Sequence, residues 1–376
     1  MRFTTLVLKN VSRRRTRSVL TVVGLAVAVG AFVSLVGIAR GFERSFLDLY
    51  RRHGIDLVVS RSGQIERSTT TLDERLGARI AELDDVRDVA PMLMDAVSFE
   101  GLDLFGVVVM GWRPSDFLFD ELRIVEGRSL LKDDSRAVLL GSQTAENLRK
   151  RVGDQVEIYE GESFEVMGVY ESYNVWENGS MIVPLAELQR LTDRRDQVNS
   201  FCVSLREGAT AMAIDGLRRR IERLARGLVA MPTGDYVRSD TRIRAAQGMA
   251  LSTSLLALVV GSIGMLNTMA MSVFERLREI GILRAIGWRK SRVVRMILGE
   301  SLVLSLAGSV AGSMGAVVAT RLLSRLPTLN GLIDGTIEPL VFGQGLAIAV
   351  AVGLAGAALP ACHGARLRPT DAVRRE

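Results

Sequence analysis

Twenty-two residues without a charge, at positions 18–39, follow a cluster of arginines near the start of the chain. As an α-helix that rises 1.5 Å per residue, this run reaches about 33 Å, and the hydrocarbon core of a bilayer is about 30 Å thick. A cleavable signal peptide is the alternative, but the run is longer than the apolar segment of such peptides and no small-residue cleavage site stands out after it. The run therefore predicts a membrane-spanning helix, which we place at residues 18–40.

Three further uncharged runs predict a membrane protein with four transmembrane α-helices. With their flanks, these runs place the second, third and fourth helices at residues 245–274, 293–320 and 339–362. The charged fraction of the chain is an ordinary 24%, whereas its mean hydropathy is +0.22. The apolar residues are therefore concentrated in blocks, as membrane spans require.

Charge is distributed unevenly along the chain, and this distribution predicts the topology. Residues 1–17, 275–295 and 364–376 together hold 17 Lys and Arg against 4 acidic residues, a net charge of +13, whereas residues 41–247 carry −7. Cationic flanks of membrane helices stay in the cytoplasm, so both termini and the loop between helices two and three are predicted to be cytoplasmic. The basic balance is thus explained by topology, which argues against nucleic-acid binding.

The resulting layout alternates between the two sides of the membrane and places a large α+β domain outside the cytoplasm. The predicted segments are a cytoplasmic N-terminal amphipathic segment at 1–17, helix one at 18–40, the extracytoplasmic domain at 41–244 with an inserted lobe at about 100–200, helix two at 245–274, a cytoplasmic helical loop at 275–292, helix three at 293–320, a short external loop at 321–338, helix four at 339–362 and a cytoplasmic tail at 363–376.

The extracytoplasmic segment has the pattern of a mixed α+β domain. Two stripes, at residues 72–83 and 212–224, have apolar residues at near-helical spacing and are predicted to face a core. A strand, a helix and a strand occur in order around 55–97 and again around 201–231, which predicts a base of split βαβ-type units with the lobe inserted between them. The predicted strands are residues 55–60, 96–100, 104–112, 137–140, 155–159, 164–170, 181–183 and 201–205.

Residues that could carry catalysis or bind a metal are few. The chain has two cysteines, Cys202 and Cys362, and two histidines, His53 and His363, too few for a Cys/His zinc site or a disulfide framework. The two cysteines are also predicted to lie on opposite sides of the membrane. His53 has no nucleophile motif nearby, so we interpret it as a surface or stalk residue. We assign no catalytic, cofactor-binding or metal-binding residue.

The four lysines exclude one class of enzyme. A nucleotide-hydrolysing P-loop needs a lysine directly after glycine, because its ammonium group must reach the phosphates that the loop amides hold. Lys9, Lys132, Lys150 and Lys290 all follow leucine or arginine. The chain is therefore predicted not to be an enzyme, and any ATP hydrolysis on which it depends must occur in a partner chain.

The loop after the second predicted helix carries the strongest functional pattern. Its apolar residues are spaced by three, which predicts a short amphipathic helix that could dock another protein. A helix that merely lies in the bilayer interface would carry basic residues without interspersed glutamates. The apolar stripe is Leu277, Ile280, Leu283 and Ile286, and the charged residues predicted to remain available outside it are Glu275, Arg276, Arg278, Glu279 and Arg284.

Three segments together resemble the MacB/FtsX-like family of ABC transporter permeases. The most specific is 267–287, which is similar to the family's N-x-M-x-x-S-V-x-E-R-x-R-E-I-G-x-L-R-A-I-G signature. The tail at 360–374 is similar to the family's P-A-x-x-A-x-x-x-P-x-D-A-L-R ending, and 13–24 resembles its start of helix one. The family includes macrolide and peptide exporters, lipoprotein-releasing permeases and a cell-division transducer.

The resemblance implies a half-transporter of the bacterial cytoplasmic (inner) membrane that works with other proteins. It implies a cytoplasmic ABC ATPase dimer that carries ATP and Mg, a second permease in a homodimer or heterodimer, contact with membrane lipid, and in some members a periplasmic adaptor or outer-membrane partner. This chain itself is expected to hold no cofactor. The residues expected to couple it to the ATPase are Glu275, Arg276, Arg278, Glu279, Ile280, Leu283, Arg284 and Gly287.

Two functional hypotheses remain open from the sequence. The leading one is a permease that couples ATP hydrolysis by a separate ATPase to export or extraction of a substrate at the outer face, by mechanotransmission. The alternative is a membrane-anchored receptor or signal transducer that regulates a periplasmic partner without transport. Gly308, Gly312 and Ala316 would permit close packing of helix three in either case. The sequence does not identify a substrate.

Overall fold

The computed structural model describes residues 15–62, 71–102, 104–172, 174–208, 210–324 and 337–366. The predicted N-terminal segment before residue 15, most of the external loop and the tail beyond Arg366 lie outside the described residues. The chain divides into a first unit, Met1–Gly41 with Ala245–Glu376, and a second unit, Phe42–Arg244. We call them the membrane unit and the outer unit.

The helices are α1 Arg15–Arg52, α2 Leu76–Ala81, α3 Ser142–Leu148, α4 Val175–Asn178, α5 Leu185–Leu191, α6 Ala211–Glu222, α7 Thr233–Arg238, α8 Thr241–Phe274, α9 Leu277–Ala285, α10 Lys290–Leu323 and α11 Pro339–Arg366. The strands are β1 Leu57–Arg61, β2 Leu72–Asp73, β3 Val86–Phe99, β4 Leu104–Trp112, β5 Arg123–Gly127, β6 Ala137–Gly141, β7 Gln155–Tyr159, β8 Glu162–Glu171, β9 Ser180–Pro184, β10 Gln197–Val198, β11 Ser200–Leu205 and β12 Leu228–Pro232.

Four helices, α1, α8, α10 and α11, are long and apolar enough to cross a membrane, which confirms the predicted number of spans among the described residues. All four extend beyond the residue ranges predicted from their apolar runs. The α1 helix, for example, continues as one helix past the end of its apolar run to Arg52. Extending a helix at such an end costs little free energy, because each added turn satisfies its own backbone groups by hydrogen bonding.

Small residues set the helix packing in the membrane unit. At Gly312 of α10, an added Cβ would lie only 2.5 Å from the carbonyl oxygen of Ala26 on α1. A Cβ at Gly308 would meet the Leu25 side chain at 3.0 Å, and Ala316 is buried one turn further along α10. Between α10 and α11, Ser301 donates a hydrogen bond of 2.6 Å to the Gly353 carbonyl. Contact over small side chains is how helices associate where water supplies no hydrophobic driving force.

The outer unit is built on one ten-stranded mixed sheet. Its strand order is β12-β1-β11-β3-β4-β9-β6-β8-β5, with β7 paired to β8, and a separate two-stranded ladder joins β2 to β10. Two neighbouring pairs, β4 with β9 and β6 with β8, are parallel. The long strand β3 pairs with β11 along its first half and with β4 along its second, so it joins the base to the inserted lobe.

Buried side chains cover both faces of this sheet. One face packs beneath α2, α5 and α6, with Ile80 and Leu217 in its core, and the opposite face carries Met110, Trp112 and Tyr170. Strands buried on both faces read as continuous apolar runs, as in β6, where all five residues are buried. For this reason, continuous apolar runs predicted most of the strands, and an alternation of apolar and polar residues did not.

Several sequence expectations for the outer unit were wrong in detail. The strand expected to begin at residue 96 begins at Val86, because Pro91 and the charged residues near its start hide a strand that nevertheless pairs with β11. Strand β5 was not expected at all. In α6, Met212 is 82% exposed and does not belong to the buried stripe, and Leu72 lies in β2 instead of α2. These short elements owe their conformation to neighbouring strands and not to local periodicity.

Candidate functional site

Helix α9 is bounded by two sharp changes of backbone direction. It starts after Arg276, whose backbone has left the helical region, and its last residue is Ala285. Gly287 then adopts a φ of +102°, a conformation that side chains disfavour and that commonly ends helices. The amide of Trp288 returns to the carbonyl of Leu283 at 3.1 Å, which closes the turn before α10. The family resemblance named Gly287 as a site residue. Its positive φ explains why glycine is present at this position.

The inner face of α9 is anchored on the neighbouring helices of the membrane unit. Ile280 and Gly281 are buried, and Ile280 packs in a cluster with Ile297 of α10 and Ala361 and Ala365 of α11. Leu277 packs against the edge of this cluster. Gly364 of α11 permits the close approach of the end of α8, which leads into α9, because a Cβ there would lie 2.7 Å from the Val273 side chain. The helix is therefore held against two membrane helices by its apolar side.

Arg276 turns inward. Its Nη1 lies 2.9 Å from both carboxylate oxygens of Glu300 on α10, and its Nε lies 3.3 Å from Glu279. The side chain of Arg276 is 12% exposed and that of Glu300 is 7% exposed. The expectation that Arg276 remains available to a partner is corrected, since its guanidinium is bound within the chain. A buried carboxylate needs such a cation because desolvated charges are costly unless paired.

Glu275 also has a partner inside the chain. Two nitrogens of Arg17, on α1, lie 2.9 and 2.6 Å from its two carboxylate oxygens. Paired hydrogen bonds from one guanidinium to one carboxylate fix both position and orientation. The end of α8 is thereby tied to the start of α1. The sequence pattern gave no signal for this pairing, because 258 positions separate the two residues.

The outward side of α9 combines charge with exposed apolar area. Arg278, Ile282 and Ile286 are spaced by four and are exposed, with Glu279 beside them. Ile286 is 74% exposed, so the predicted stripe is wrong at this position: the helix ends one residue earlier and the chain turns. Leu283 is half-buried. We call these four residues, Arg278, Glu279, Ile282 and Ile286, the outer face of α9.

Arg284 stabilises the end of α9. Its Nη1 donates to the carbonyl of Trp288 at 3.1 Å, and the guanidinium carbon of Arg292 lies 4.4 Å from the centre of the Trp288 ring. Cations near the last turn of a helix interact favourably with its free carbonyl groups. The predicted site residues therefore separate into Arg276, Ile280 and Arg284, which face the protein, and a smaller set that faces outward.

His53, which the sequence analysis interpreted as a surface or stalk residue, is buried. It lies just after α1, is 6% exposed and is not a surface residue, because its Nε2 is 2.9 Å from the buried carboxylate of Glu177. The only local signal was Gly54, whose φ of +66° turns the chain back into the domain. In the same unit, Trp176 of α4 contacts the ring of Phe46, with ring centroids 5.8 Å apart.

Comparison with known families gives matches that cover both units. Residues 18–220 match the family described as MacB-like periplasmic core domain, and residues 251–369 match the family described as FtsX-like permease C-terminal. In the first range lie nearly all of α1 and most of the outer unit, and in the second lies the 267–287 signature, which contains α9. The first match alone covers more than half of the chain.

Similar proteins include a permease of about the same length and longer MacB proteins described as ATP-binding/permease proteins. An uncharacterized ABC transporter permease of Methanocaldococcus jannaschii is 25% identical, over 99% of this chain and 97% of its own. The macrolide export ATP-binding/permease protein MacB of Nitrobacter winogradskyi is 25% identical, over 96% of this chain and 58% of its own. The MacB of Bdellovibrio bacteriovorus is 24% identical, over 98% and 61%. This chain thus spans about three fifths of the length of these MacB relatives.

Among solved structures, the periplasmic region of MacB from Actinobacillus actinomycetemcomitans is similar, with a TM-score of 0.40 and 15% identity over 50% of this chain and 94% of that one. The family matches assign the segment between α1 and α8 to an extracytoplasmic domain. Four apolar helices, with this domain between the first and second, complete the architecture. The chain belongs to the MacB/FtsX-like family of ABC transporter permeases.

Proposed function

We propose that this chain is the permease subunit of an ATP-binding cassette system, coupling ATP hydrolysis by a separate ATPase to export or extraction of a substrate at the outer face of the membrane. The observation that supports this most is the asymmetry of α9. One side is fixed by Ile280 and the Arg276–Glu300 pair, and the other presents Ile282 and Ile286 to the surroundings. Exposed apolar residues rimmed by charge are typical of a protein-binding patch.

The proposed coupling is mechanical. A push on the outer face of α9 would be carried into α10 and α11 by packing, since close-packed interiors transmit displacement instead of absorbing it. The pairing of Glu275 with Arg17 gives the same region a link to the start of α1. From there α1 runs as one helix to Arg52. Motion of the outer domain in response to the ATPase is the mechanotransmission that we propose.

The proposed orientation places both termini and α9 in the cytoplasm of a bacterial cell. The cationic flanks of the spans support it. ATP and Mg would be held by the partner ATPase dimer, and this chain would act with a second permease chain, identical or homologous. A periplasmic adaptor or outer-membrane partner would depend on the system.

A photo-crosslinking amino acid at Ile286, in the full chain expressed in a bacterium with its ATPase, tests the proposed docking. We expect a crosslink to a chain that contains a Gly-Lys phosphate-binding loop, and no such crosslink from Ile263, which is exposed on α8 within the span. Crosslinks only to lipid, or only to a kinase or response regulator, would contradict the proposal and favour the receptor alternative.

A charge exchange separates docking by Glu275 from its role inside the chain. Glu275→Arg alone removes the Arg17 pair, whereas Glu275→Arg with Arg17→Glu restores it in reverse. If the carboxylate acts only within the chain, the double variant should regain the ATP turnover of the complex that the single variant loses. A double variant that stays as impaired as the single one would assign Glu275 to the ATPase interface.

A further inference from the structure

A small buried cavity in the outer unit is lined by an unusual combination of side chains. It lies between the end of α1 and one face of strands β3 and β4, and its lining includes His53, Glu177, Trp112 and three methionines, Met92, Met94 and Met110. The cavity measures about 30 Å³. That is room for one or two water molecules or a single ion, and it is too small for a drug-sized molecule.

The imidazole of His53 has one nitrogen engaged and one free. Its Nε2 lies 2.9 Å from a carboxylate oxygen of Glu177, whose side chain is 3% exposed. Its Nδ1 is buried and has no hydrogen-bond partner. A histidine that donates one ring N–H to a carboxylate and presents the other nitrogen to a cavity has the arrangement that orients metal-ligating histidines.

The three thioethers come from two adjacent strands and share one face of the sheet. Met94 of β3 and Met110 of β4 are direct partners in the antiparallel ladder. Side chains at such positions start about 5 Å apart. Met92, two residues before Met94, points to the same side, and Trp112, two residues after Met110, places its ring 5.7 Å from the imidazole of His53. The strand register thus brings three methionine side chains to the cavity that His53 also lines.

The donor set selects a class of metal ion. Neutral thioethers bind hard cations such as Mg²⁺ or Ca²⁺ poorly and suit soft ions such as Cu(I). We propose that His53 Nδ1 and the thioethers of Met92, Met94 and Met110 form a binding site for a soft monovalent metal ion, Cu(I) or its analogue Ag(I).

The alternative occupant is water. Nε1 of Trp112 is also buried without a partner, so one or two waters bridging it and Nδ1 of His53 would satisfy both groups. In that case His53 is an ordinary buried partner of Glu177 and the methionines are core residues. The two interpretations differ in one respect that can be measured: only a metal site depends on the sulfur atoms.

Silver titration of the full chain in detergent, with Ag(I) as the probe, distinguishes them. The titration uses a Cys202→Ala, Cys362→Ser background, because the two free thiols would bind Ag(I) themselves. In this background we expect one tightly bound Ag(I) per chain, and at least a tenfold loss of affinity when Met94→Leu and Met110→Leu are added. Leucine conserves volume and apolar character, so the fold should be retained. The control is Met181→Leu, a methionine that is fully buried in the core on the other face of the sheet. It should bind Ag(I) as the wild-type chain does.

X-ray absorption at the copper edge, on the chain loaded with Cu(I) under reducing conditions, supplies the second readout. We expect sulfur scatterers together with one nitrogen in the wild-type chain, and loss of the nitrogen in His53→Gln. Three results would overturn the proposal and leave a cavity that holds water. The first is wild-type Ag(I) affinity in the double Met variant, and the second is equal affinity in Met181→Leu and in the double variant. The third is copper coordinated only by oxygen.

Discussion

Arg276 Nη1 lies 2.9 Å from both carboxylate oxygens of Glu300, and this pair joins the start of α9 to the buried side of α10. Glu300 is the single acidic residue of α10, a helix otherwise apolar enough to span a membrane. A carboxylate can be buried in this helix because Arg276, the residue before α9, pairs with it. The pair fixes the position of α9 and also removes Arg276 from the surface on which a partner could dock.

Removing one member of this pair should destabilise the chain more than removing both. Glu300→Leu leaves a buried guanidinium whose remaining contact is the longer one to Glu279, and such a loss typically costs about 3 to 5 kcal/mol. Arg276→Met with Glu300→Leu leaves no buried charge and should recover most of the loss. Thermal denaturation of the purified variants in detergent measures this. A single variant as stable as the double variant would contradict the role assigned to the pair.

Gly312 and Gly315 should respond differently to alanine. A Cβ at Gly312 meets the Ala26 carbonyl, whereas a Cβ at Gly315 meets nothing within 4 Å. We expect Gly312→Ala to lose about 1 to 3 kcal/mol through overpacking, and Gly315→Ala to be neutral or slightly stabilising. Thermal denaturation in detergent gives both values. Equal effects at the two positions would show that α1 and α10 do not approach as closely as described.

Much of the membrane unit could be predicted from the sequence, because long uncharged runs have few alternatives to a spanning helix. The outer face of α9 could not. Spacing by three placed Ile286 in the same stripe as Ile280, but the helix has nine residues and ends before Ile286. Where a short helix ends depends on a backbone turn at Gly287, and which side it buries depends on α10 and α11. Neither is contained in local periodicity.

The ion pairs of the site were also beyond the sequence. Glu275 was predicted to remain available to a partner protein, yet it binds Arg17, from another helix of the same chain. Pairing between strands likewise determined the fold of the outer unit. There β11 pairs with the early part of β3, which is a strand despite Pro91. Interactions between distant segments selected one of several conformations that the local sequence allows.

Accessibility of two cysteines should report the orientation of the chain. In a variant with Cys202→Ala, Met212→Cys introduces a thiol at a highly exposed position of the outer unit, and Cys362 is exposed at the far end of α11. A membrane-impermeant thiol reagent added outside the cytoplasmic membrane should label position 212 rapidly and leave Cys362 unlabelled until the membrane is lysed. Labelling of Cys362 in intact cells would contradict the predicted topology.

The stability of the outer unit should depend on pH through His53. Burial lowers the pKa of this histidine, but the hydrogen bond to Glu177 and the charges of Glu177 and Glu121 outweigh it, so the pKa is raised above the ordinary 6.5. The protonated ring therefore stabilises the fold below about pH 6.5, and this contribution is lost as the pH rises through the raised pKa.

We expect the melting temperature, followed through the fluorescence of Trp112 and Trp176, to fall over that interval in the metal-free chain. Glu177→Gln keeps a hydrogen-bond acceptor while removing the charge, and it should reduce the pH dependence. A wild-type melting temperature that rises over the same interval would contradict a raised pKa for His53.

Docking of an ATPase on the outer face of α9 is tested most directly by the ATP turnover and co-elution of the purified complex. Arg278→Glu combined with Ile286→Asp changes two exposed residues of this face without touching the buried cluster around Ile280 or the contact of Glu279 with Arg276. Unpaired charge in an interface typically costs about 2 to 5 kcal/mol, so co-elution should be lost and turnover should fall to that of the ATPase alone.

The matched control is Met212→Asp, which places the same acid at an exposed apolar position of the outer unit. The account predicts full co-elution and coupled turnover for this control and the loss of both for the α9 variant. Unchanged co-elution and unchanged coupled turnover in the α9 variant would contradict the proposal that this face binds the ATPase.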